Sequence, residues 1–244
     1  MRDYKTELEK RVEFIKDALE KSGAKGIIYG NSGGKDCTLA AIIAKHACEN
    51  VLGVIMPCHS NVNYGQDTQD ALKAAEQFGI EQITVDISAS RTQLEDAIEK
   101  NVKISPDSLK NMAPRLRMTT LYAIAQTKGY LVLGTGNRSE MFMGYFTKWG
   151  DGGYDLNPIA DLTVREVYEF LRYLNAPSSI IEKAPSAGLY EGQTDEKEMG
   201  FTYDEIDDYI LYGKGSDETK EKLSAIYKRT AHKRTVPMRY GENN

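Results

Sequence analysis

Residues 29–37, with the sequence YGNSGGKDC, combine the residue types that bind phosphate. Two adjacent glycines let a backbone approach a phosphate closely, and the serine before them supplies a hydroxyl donor. Asp36 would repel a phosphate unless a cation lay between the two, so an aspartate here favours Mg²⁺ that bridges carboxylate and phosphate. The pattern differs from a Walker A loop, in which serine or threonine would follow Lys35, and from GxGxxG. An ordinary glycine-rich turn capped by Asp36 is the structural alternative.

Short apolar runs alternate with amphipathic stretches around this loop. The apolar runs predict buried strands at 26–30, 51–57, 83–87 and 130–136. Helical periodicity predicts an opening helix with Leu8 and Ile15 on one face, and further helices around 38–49, 68–78, 91–101 and 115–128. We therefore expect an α/β fold with a doubly wound, mainly parallel sheet flanked by helices, and a single domain over residues 1–244. Ligands bind such sheets beyond the carboxyl ends of the strands, where the phosphate loop and the sequence GTGNRSE at 134–140 both lie.

The composition argues against some classes of protein. The chain of 244 residues has a formal net charge of −5 and so lacks the basic footprint of broad nucleic-acid binding. Its apolar runs stay well below the roughly 18 residues that a membrane-spanning helix needs. Three cysteines without a CxxC pair are typical of free thiols in a reducing compartment. We expect a cytoplasmic protein that binds neither nucleic acid nor membrane.

The sequence SGGKDC at 32–37 resembles the SGGxDS loop of the ATP pyrophosphatases, which bind the pyrophosphate of ATP and adenylate a substrate. From about residue 4 to residue 237 the chain resembles one family of that group, the ammonia-dependent NAD synthetases. The stretches that carry this resemblance are NMAPRLRM (111–118), LGTGNRSE (133–140), GYFTKWGDGGYDLNPIADLT (144–163), APSAGLYEGQTDEKEMGFTYDEID (184–207) and HKR (232–234). The resemblance implies the adenine nucleotide α-hydrolase-like version of the fold.

The resemblance also implies a two-step reaction. The nicotinate carboxylate of deamido-NAD attacks the α-phosphorus of ATP in the presence of Mg²⁺, and pyrophosphate leaves. Ammonia then attacks the adenylated carbonyl and releases AMP and NAD. A tRNA-thiolating or sulfur-transferring ATP pyrophosphatase is the enzymatic alternative, suggested by Cys37, and a non-enzymatic nucleotide-sensing module is the alternative from another class. Larger synthetases carry a glutaminase domain that residues 1–244 are not expected to contain, so free ammonia is the expected donor, although a separate glutaminase could supply it.

Site residues follow from the same resemblance. Asp36 and Glu140 match the two catalytic carboxylates that hold Mg²⁺ against the phosphates of ATP. Contacts to ATP are implied for Gly30, Asn31, Ser32, Gly33, Gly34, Lys35, Asp36, Cys37, Thr135 and Ser186. Contacts to deamido-NAD are implied for Arg115, Lys148, Asp155, His232 and Lys233. Simpler interpretations are that Glu140 is a helix-start acid, that Thr135 ends a strand, and that the cations are solvated surface charges.

Three positions depart from the family pattern. Cys37 replaces a serine, Val164 replaces a lysine that reaches ATP, and Gly188 replaces an acid. A thiol is a weaker hydrogen-bond donor than a hydroxyl, so we expect a phosphate contact to be lost or taken over by backbone. Arg165 is expected to compensate for Val164.

The family resemblance further implies a homodimer with an aromatic-lined dinucleotide groove between its subunits. A pair related by twofold symmetry is also the commonest soluble assembly. Phe146, Trp149 and Tyr154 are the local candidates for the groove, and core packing is the alternative for each of them.

Overall fold

The computed structural model describes residues 2–59, 66–182 and 195–241. At the centre of these residues is a parallel sheet of four strands, β1 (Gly26–Gly30), β2 (Val51–Ile55), β3 (Glu81–Thr84) and β4 (Tyr130–Val132). The strand order is β3-β2-β1-β4, and Ile28 of β1 pairs with Leu52 on one side and Val132 on the other. The phosphate loop and the 134–140 stretch both follow carboxyl ends of strands, as predicted, and the structure shows that these two strands are adjacent.

Helices surround this sheet. They are α1 (Tyr4–Ser22), α2 (Lys35–Ala47), α3 (Gln66–Gln77), α4 (Ser88–Glu99), α5 (Pro106–Lys128), α6 (Arg138–Met143), α7 (Val164–Tyr173), α8 (Ser178–Ile181), α9 (Asp195–Met199), α10 (Tyr203–Tyr212), α11 (Asp217–Arg229) and a short 3₁₀ helix (Ala231–Lys233). The predicted helices between the strands are confirmed. Within the described ranges, none of the helices is long and apolar enough to cross a membrane, and the cytoplasmic location stays a prediction.

The core lies on both faces of the sheet. Neighbouring residues of a strand point to opposite faces. Ile27 belongs to a buried cluster with residues of α2 and α7, whereas Ile28 belongs to a second cluster with residues of α5. The doubly wound, parallel α/β fold is thus confirmed. A third cluster joins α6, α7, α10 and α11 around Met143 and Tyr203.

The outer strands differ from the prediction. We expected a buried strand at 83–87, but β3 covers Glu81–Thr84 and is partly exposed. Its exposure follows from the strand order, which places β3 at one end of the sheet and β2, which is buried throughout, between β1 and β3. Strands β2 and β4 also end earlier than predicted, although Leu133 N–H still donates to the Ile28 carbonyl at 2.8 Å.

Helix α5 begins at Pro106 rather than near residue 115. The Ser105 side chain caps it by accepting a hydrogen bond from the Ser108 N–H, and Pro106 follows where a missing N–H does little harm. Pro114 lies inside the helix. The prediction began after Pro114 because proline in a helix interior removes a backbone donor and usually kinks or breaks the helix.

Candidate active site

The loop after β1 leads directly into α2. Asn31 Oδ1 accepts a hydrogen bond from the Gly33 N–H at 3.1 Å, and Ser32 Oγ accepts one from the Gly34 N–H at 3.3 Å. Gly33 has a φ of +72°, in the left-handed region that favours glycine. The alternative of a turn capped by Asp36 is wrong, because Gly34 is the N-cap and Asp36 lies in the first helical turn. The start of α2 suits a bound anion, since the helix dipole is positive there.

Asp36 and Glu140 are joined through Asn137, which is fully buried at the N-cap of α6. Asn137 Oδ1 accepts a hydrogen bond from the Glu140 N–H, and the Asn137 N–H donates to Glu140 Oε2, both at 3.0 Å. The Asn137 side-chain amide donates to Asp36 Oδ1, also at 3.0 Å. One asparagine therefore orients both carboxylates. The simpler interpretation of Glu140 as a helix-start acid is also confirmed, because Glu140 completes the capping box of α6.

The charges of this pair interact strongly. Burial and the nearby charge of Asp36 raise the pKa of Glu140 well above its ordinary value, and Lys35 acts in the opposite direction. Lys35 Nζ donates to Asp36 Oδ2 at 2.8 Å. Burial alone would lower the pKa of Lys35, but Asp36 and Glu140 raise it above its ordinary value, so the amine is charged. The result is one ammonium that is paired with Asp36 and attracted by Glu140, and both carboxyl residues are half-buried.

This arrangement fits Mg²⁺ that is shared with a nucleotide. Mg²⁺ is usually bound through one or two carboxylates, while substrate phosphates and waters complete its shell. Asp36 and Glu140 would supply those carboxylates, since they follow the carboxyl ends of adjacent strands. In the part of the chain that the structure describes, no group of three or more His, Cys, Asp or Glu residues is suited to a metal. Phosphates bound at the loop would therefore have to complete the shell.

Cys37 is buried within the phosphate loop. Its thiol donates to the Gly34 carbonyl at 3.2 Å and lies 3.4 Å from Ser32 Oγ. The thiol thus binds the loop's own backbone. Cys37, Cys48 and Cys58 are all free thiols, as predicted.

The other two departures from the family pattern have different outcomes. Val164 is buried at the start of α7. The next residue, Arg165, turns towards α10, where its guanidinium pairs with Asp208 at 2.8 Å and Asp204 at 2.9 Å. The expected compensation by Arg165 therefore finds no support. Two positions named from the sequence lie outside the described residues: Ser186 and Gly188.

Four of the five residues assigned to deamido-NAD form a second cluster. Arg115 Nε donates to the Lys148 carbonyl at 3.3 Å, and Lys148 Nζ donates to the His232 carbonyl at 2.7 Å. Lys233 Nζ donates to two carbonyls of the loop 144–153, both at 2.7 Å. We call Arg115, Lys148, His232 and Lys233 the cationic rim. Its bonds join α5, this loop and the 3₁₀ helix.

The fifth residue, Asp155, accepts hydrogen bonds at the edge of the sheet. Its two carboxylate oxygens accept hydrogen bonds from the Val132 N–H at 2.8 Å and the Tyr122 hydroxyl at 3.0 Å. Asp155 therefore satisfies an amide of the outer strand β4. Thr135 is half-buried between β4 and α6, close in sequence to Asn137.

The three aromatic candidates have different environments. Trp149 is 52% exposed, and its ring centroid lies 5.4 Å from Lys148 Nζ. The Phe146 ring centroid lies 5.4 Å from Lys233 Nζ. Tyr154 packs against the cluster that contains Ile28, so core packing is confirmed for this residue. Phe146 and Trp149 thus remain the aromatic neighbours of the cationic rim.

Comparison with known proteins identifies the family. The NAD synthase family profile matches residues 7–238. The chain belongs to the NAD synthase family. A relative from Carboxydothermus hydrogenoformans, named NH(3)-dependent NAD(+) synthetase, is 45% identical, and the match covers 96% of this chain and 97% of the relative. The resemblance drawn from the sequence motifs is thus confirmed.

Solved structures of NAD synthase relatives share the fold over almost the whole chain. The structure of NMN synthetase from Francisella tularensis matches with a TM-score of 0.93 at 36% identity, over 99% of this chain and 100% of that one. An NH3-dependent NAD synthetase from Campylobacter jejuni matches with a TM-score of 0.78 at 30% identity, over 98% of this chain and 99% of that one.

Sequence reasoning missed two contributors to this candidate site. The first is Asn137, whose signal was available, because Asn137 and Glu140 have the three-residue spacing of a capping box. The second is the buried Tyr203, whose hydroxyl donates to Asp195 Oδ2 at 3.0 Å and whose ring lies beneath Lys35 Nζ. No local pattern could place Tyr203 there, because its position depends on how α10 packs against α6 and α7.

Proposed function

We propose that the protein is an ammonia-dependent NAD synthetase, a ligase that forms a C–N bond. The observation that carries this proposal is the similarity, over nearly the full length, to relatives named NH(3)-dependent NAD(+) synthetase. The half-buried carboxylate pair oriented by Asn137 beside the phosphate loop supports it. The enzyme converts deamido-NAD, ATP and ammonia into NAD, AMP and pyrophosphate within a single synthetase domain.

The phosphate loop and α2 bind and orient the phosphates of ATP. Asp36 and Glu140 hold Mg²⁺, which when bound neutralises the charge on the phosphates. The protein positions the nicotinate carboxylate for attack on the α-phosphorus, and such positioning supplies a large part of the rate. Pyrophosphate leaves, ammonia attacks the adenylated carbonyl, and AMP departs with both electrons of the broken C–O bond. No covalent bond between protein and substrate is required.

The cationic rim binds the anionic dinucleotide. Arg115 is exposed and leaves its charge available for phosphate or carboxylate groups, and the exposed His232 offers ring nitrogens for hydrogen bonds. Lys233 acts indirectly by holding the loop 144–153, since its amine is bonded to two carbonyls of that loop. Asp155 remains a proposed substrate contact, and Thr135 and Ser186 remain proposed contacts to ATP.

An assay of NAD formation tests the proposal. Purified protein should form NAD from deamido-NAD, ATP, Mg²⁺ and an ammonium salt, with one pyrophosphate released per NAD. Glutamine freed of ammonia should support almost no synthesis, because we propose free ammonia as the donor. Comparable rates from the two donors would contradict that donor, and pyrophosphate release without NAD would contradict the reaction.

A second candidate acts on a smaller substrate. The solved structure named NMN synthetase matches this chain with a TM-score of 0.93, against 0.78 for the structure from Campylobacter jejuni named as an NAD synthetase. The same chemistry could amidate nicotinate mononucleotide. Values of kcat/KM for the mononucleotide and for deamido-NAD, measured side by side, decide between the two. A higher value for the mononucleotide would replace the first proposal with the second.

We also propose a homodimer that uses the exposed face of α4. Leu94, Ile98 and Val102 are 43%, 36% and 63% exposed and recur every four residues, which places them on one face of α4 and the turn after it. Contiguous apolar surface of this kind marks interaction sites, and a second copy related by twofold symmetry would cover it.

Sedimentation tests the dimer. Leu94→Glu should give a monomer at about micromolar concentration, where binding energies near 8 kcal/mol are needed to hold a pair together. Phe14→Glu is the matched control, because Phe14 on α1 is similarly exposed at 47%. A wild-type protein that sediments as an active monomer would contradict the proposal.

A further inference from the structure

Lys35 supplies a positive charge to the same carboxylate that we assign to Mg²⁺. Its Nζ donates to Asp36 Oδ2 at 2.8 Å, and the side chain is 7% exposed. The amine also lies 5.5 Å from the ring centroid of Tyr203 and 5.9 Å from that of Tyr168. Rings at these distances attract a cation through their negative faces. The lysine is therefore held at the carboxylates by both charge and aromatic contacts.

A half-buried pair of neighbouring carboxyl groups is stabilised by such a cation. Two like charges close together oppose each other's ionisation, and burial adds to that opposition. The Asn137 side chain brings the two residues together, since it donates to Asp36 Oδ1 and accepts from the Glu140 N–H, both at 3.0 Å. A nearby cation lets the pair keep its negative charge without a metal ion. Lys35 is suited to this, because it begins α2 next to Asp36 in the chain.

Lys35 and a metal ion would compete for one position. Asp36 Oδ1 already accepts a hydrogen bond from the Asn137 amide, and Oδ2 accepts one from Lys35. A divalent cation that bound Asp36 would approach Oδ2 closely and repel the ammonium. The lysine side chain is long and flexible, so it can withdraw while the backbone of α2 stays in place. ATP would favour that withdrawal, because its phosphates offer the ammonium another anion.

We propose that Lys35 is a tethered counter-cation, which offsets part of the negative charge of the Asp36–Glu140 pair in the nucleotide-free protein and releases Asp36 to Mg²⁺ when ATP binds. The proposal rests on the metal role of this pair in the proposed function. It predicts that the divalent ion binds with ATP and scarcely without it. Lys35 thus determines the order in which metal and nucleotide are bound.

Binding of Mn²⁺ in the absence of ATP tests this role, with Mn²⁺ as the spectroscopic substitute for Mg²⁺. The key variant is Lys35→Met, which removes the charge and keeps an unbranched side chain against the two tyrosine rings. Lys45→Met is the matched control, because Lys45 lies on the same helix and pairs with Glu49 away from the loop. Electron paramagnetic resonance counts free Mn²⁺, so the readout does not depend on NAD formation.

Lys35→Met should bind Mn²⁺ without ATP at least about tenfold more tightly than the wild type, and Lys45→Met should match the wild type. Adding Asp36→Asn to Lys35→Met should remove the gain. Unchanged Mn²⁺ affinity in Lys35→Met would overturn the proposal, as would tight ATP-free binding by the wild type. Circular dichroism checks the fold, and Lys35→Gln replaces Lys35→Met if that variant unfolds.

The same samples separate this inference from the proposed function. Wild-type protein that forms no NAD while Lys35→Met still gains Mn²⁺ affinity would reject the synthetase and keep the counter-cation. Wild-type protein that forms NAD while Lys35→Met gains no affinity would do the reverse.

Discussion

The charged groups of two regions have different kinds of partner: those of the carboxylate pocket, formed by Asp36, Asn137 and Glu140, and those of the cationic rim. In the pocket, the fully buried Asn137 donates from its side-chain amide to Asp36 and accepts a hydrogen bond from the Glu140 N–H. In the rim, the cations of Lys148 and Lys233 are bonded to backbone carbonyls at partly exposed positions. Water can replace a lost partner in the rim but not in the pocket. Substitutions in the pocket should therefore have larger effects than substitutions in the rim.

The largest effect is expected for Asp36→Asn. The amide keeps the shape of the side chain but removes the charge that holds Mg²⁺, so pyrophosphate release should fall by about three orders of magnitude. The fold should persist, because Glu140 still lies near the ammonium of Lys35. Pyrophosphate release and circular dichroism, measured together, check this. Near-normal release would show that Asp36 is not a metal ligand.

A smaller but more selective effect is expected at Asn137. Asn137→Ser keeps an N-cap oxygen for α6 but loses the amide that donates to Asp36. We expect kcat/KM to fall by about 10–100-fold, as for other residues that orient metal ligands, with little change in melting temperature. Asn137→Ala should lose the same activity and about 1 kcal/mol of stability in addition.

The control for Asn137 is Ser216→Ala at the cap of α11, where Ser216 accepts a hydrogen bond from the Thr219 N–H at 3.1 Å. This variant should lose a similar stability and no activity. If activity follows melting temperature across all three variants, Asn137 is a helix cap and nothing more.

These expectations show which parts of the site a sequence can reveal. The phosphate loop and Glu140 were predicted correctly in position because each depends on a short pattern at the end of a strand. The hydrogen-bond partners of Lys233 and Asp155 were not predicted. Both side chains bind backbone groups that only the folded chain brings near them. The exposure of β3 was missed for a similar reason: hydrophobic pattern does not reveal strand order. Helix α5 was missed before Pro114 although Ser105 and Pro106 form a recognisable start.

In the cationic rim, Arg115→Ala should raise the KM for deamido-NAD by about tenfold and leave kcat nearly unchanged. An exposed charge binds substrate and transition state alike, which changes KM alone. The effect should shrink as the salt concentration rises, because salt screens the attraction between exposed charges. The Debye length is about 10 Å at 0.1 M salt and becomes shorter at higher concentrations. Lys128→Ala, an exposed charge at the far end of the same helix, is the control. A fall in kcat for Arg115→Ala, with KM unchanged, would show that Arg115 stabilises the transition state rather than substrate binding alone.

The smallest effect is expected for Cys37→Ser, although Cys37 lies in the pocket's own loop. The thiol donates to the Gly34 carbonyl at 3.2 Å, and a serine hydroxyl at this position could make the same hydrogen bond more strongly. NAD formation should therefore stay within about twofold of the wild type or rise, since one net hydrogen bond changes stability by only about 1 kcal/mol. Cys48→Ser, at a half-buried cysteine, controls for the loss of a thiol as such. Complete loss of activity in Cys37→Ser alone, with the fold intact, would mean that the thiol takes part in the reaction, and a sulfur-transferring enzyme would then explain the loop better than a synthetase.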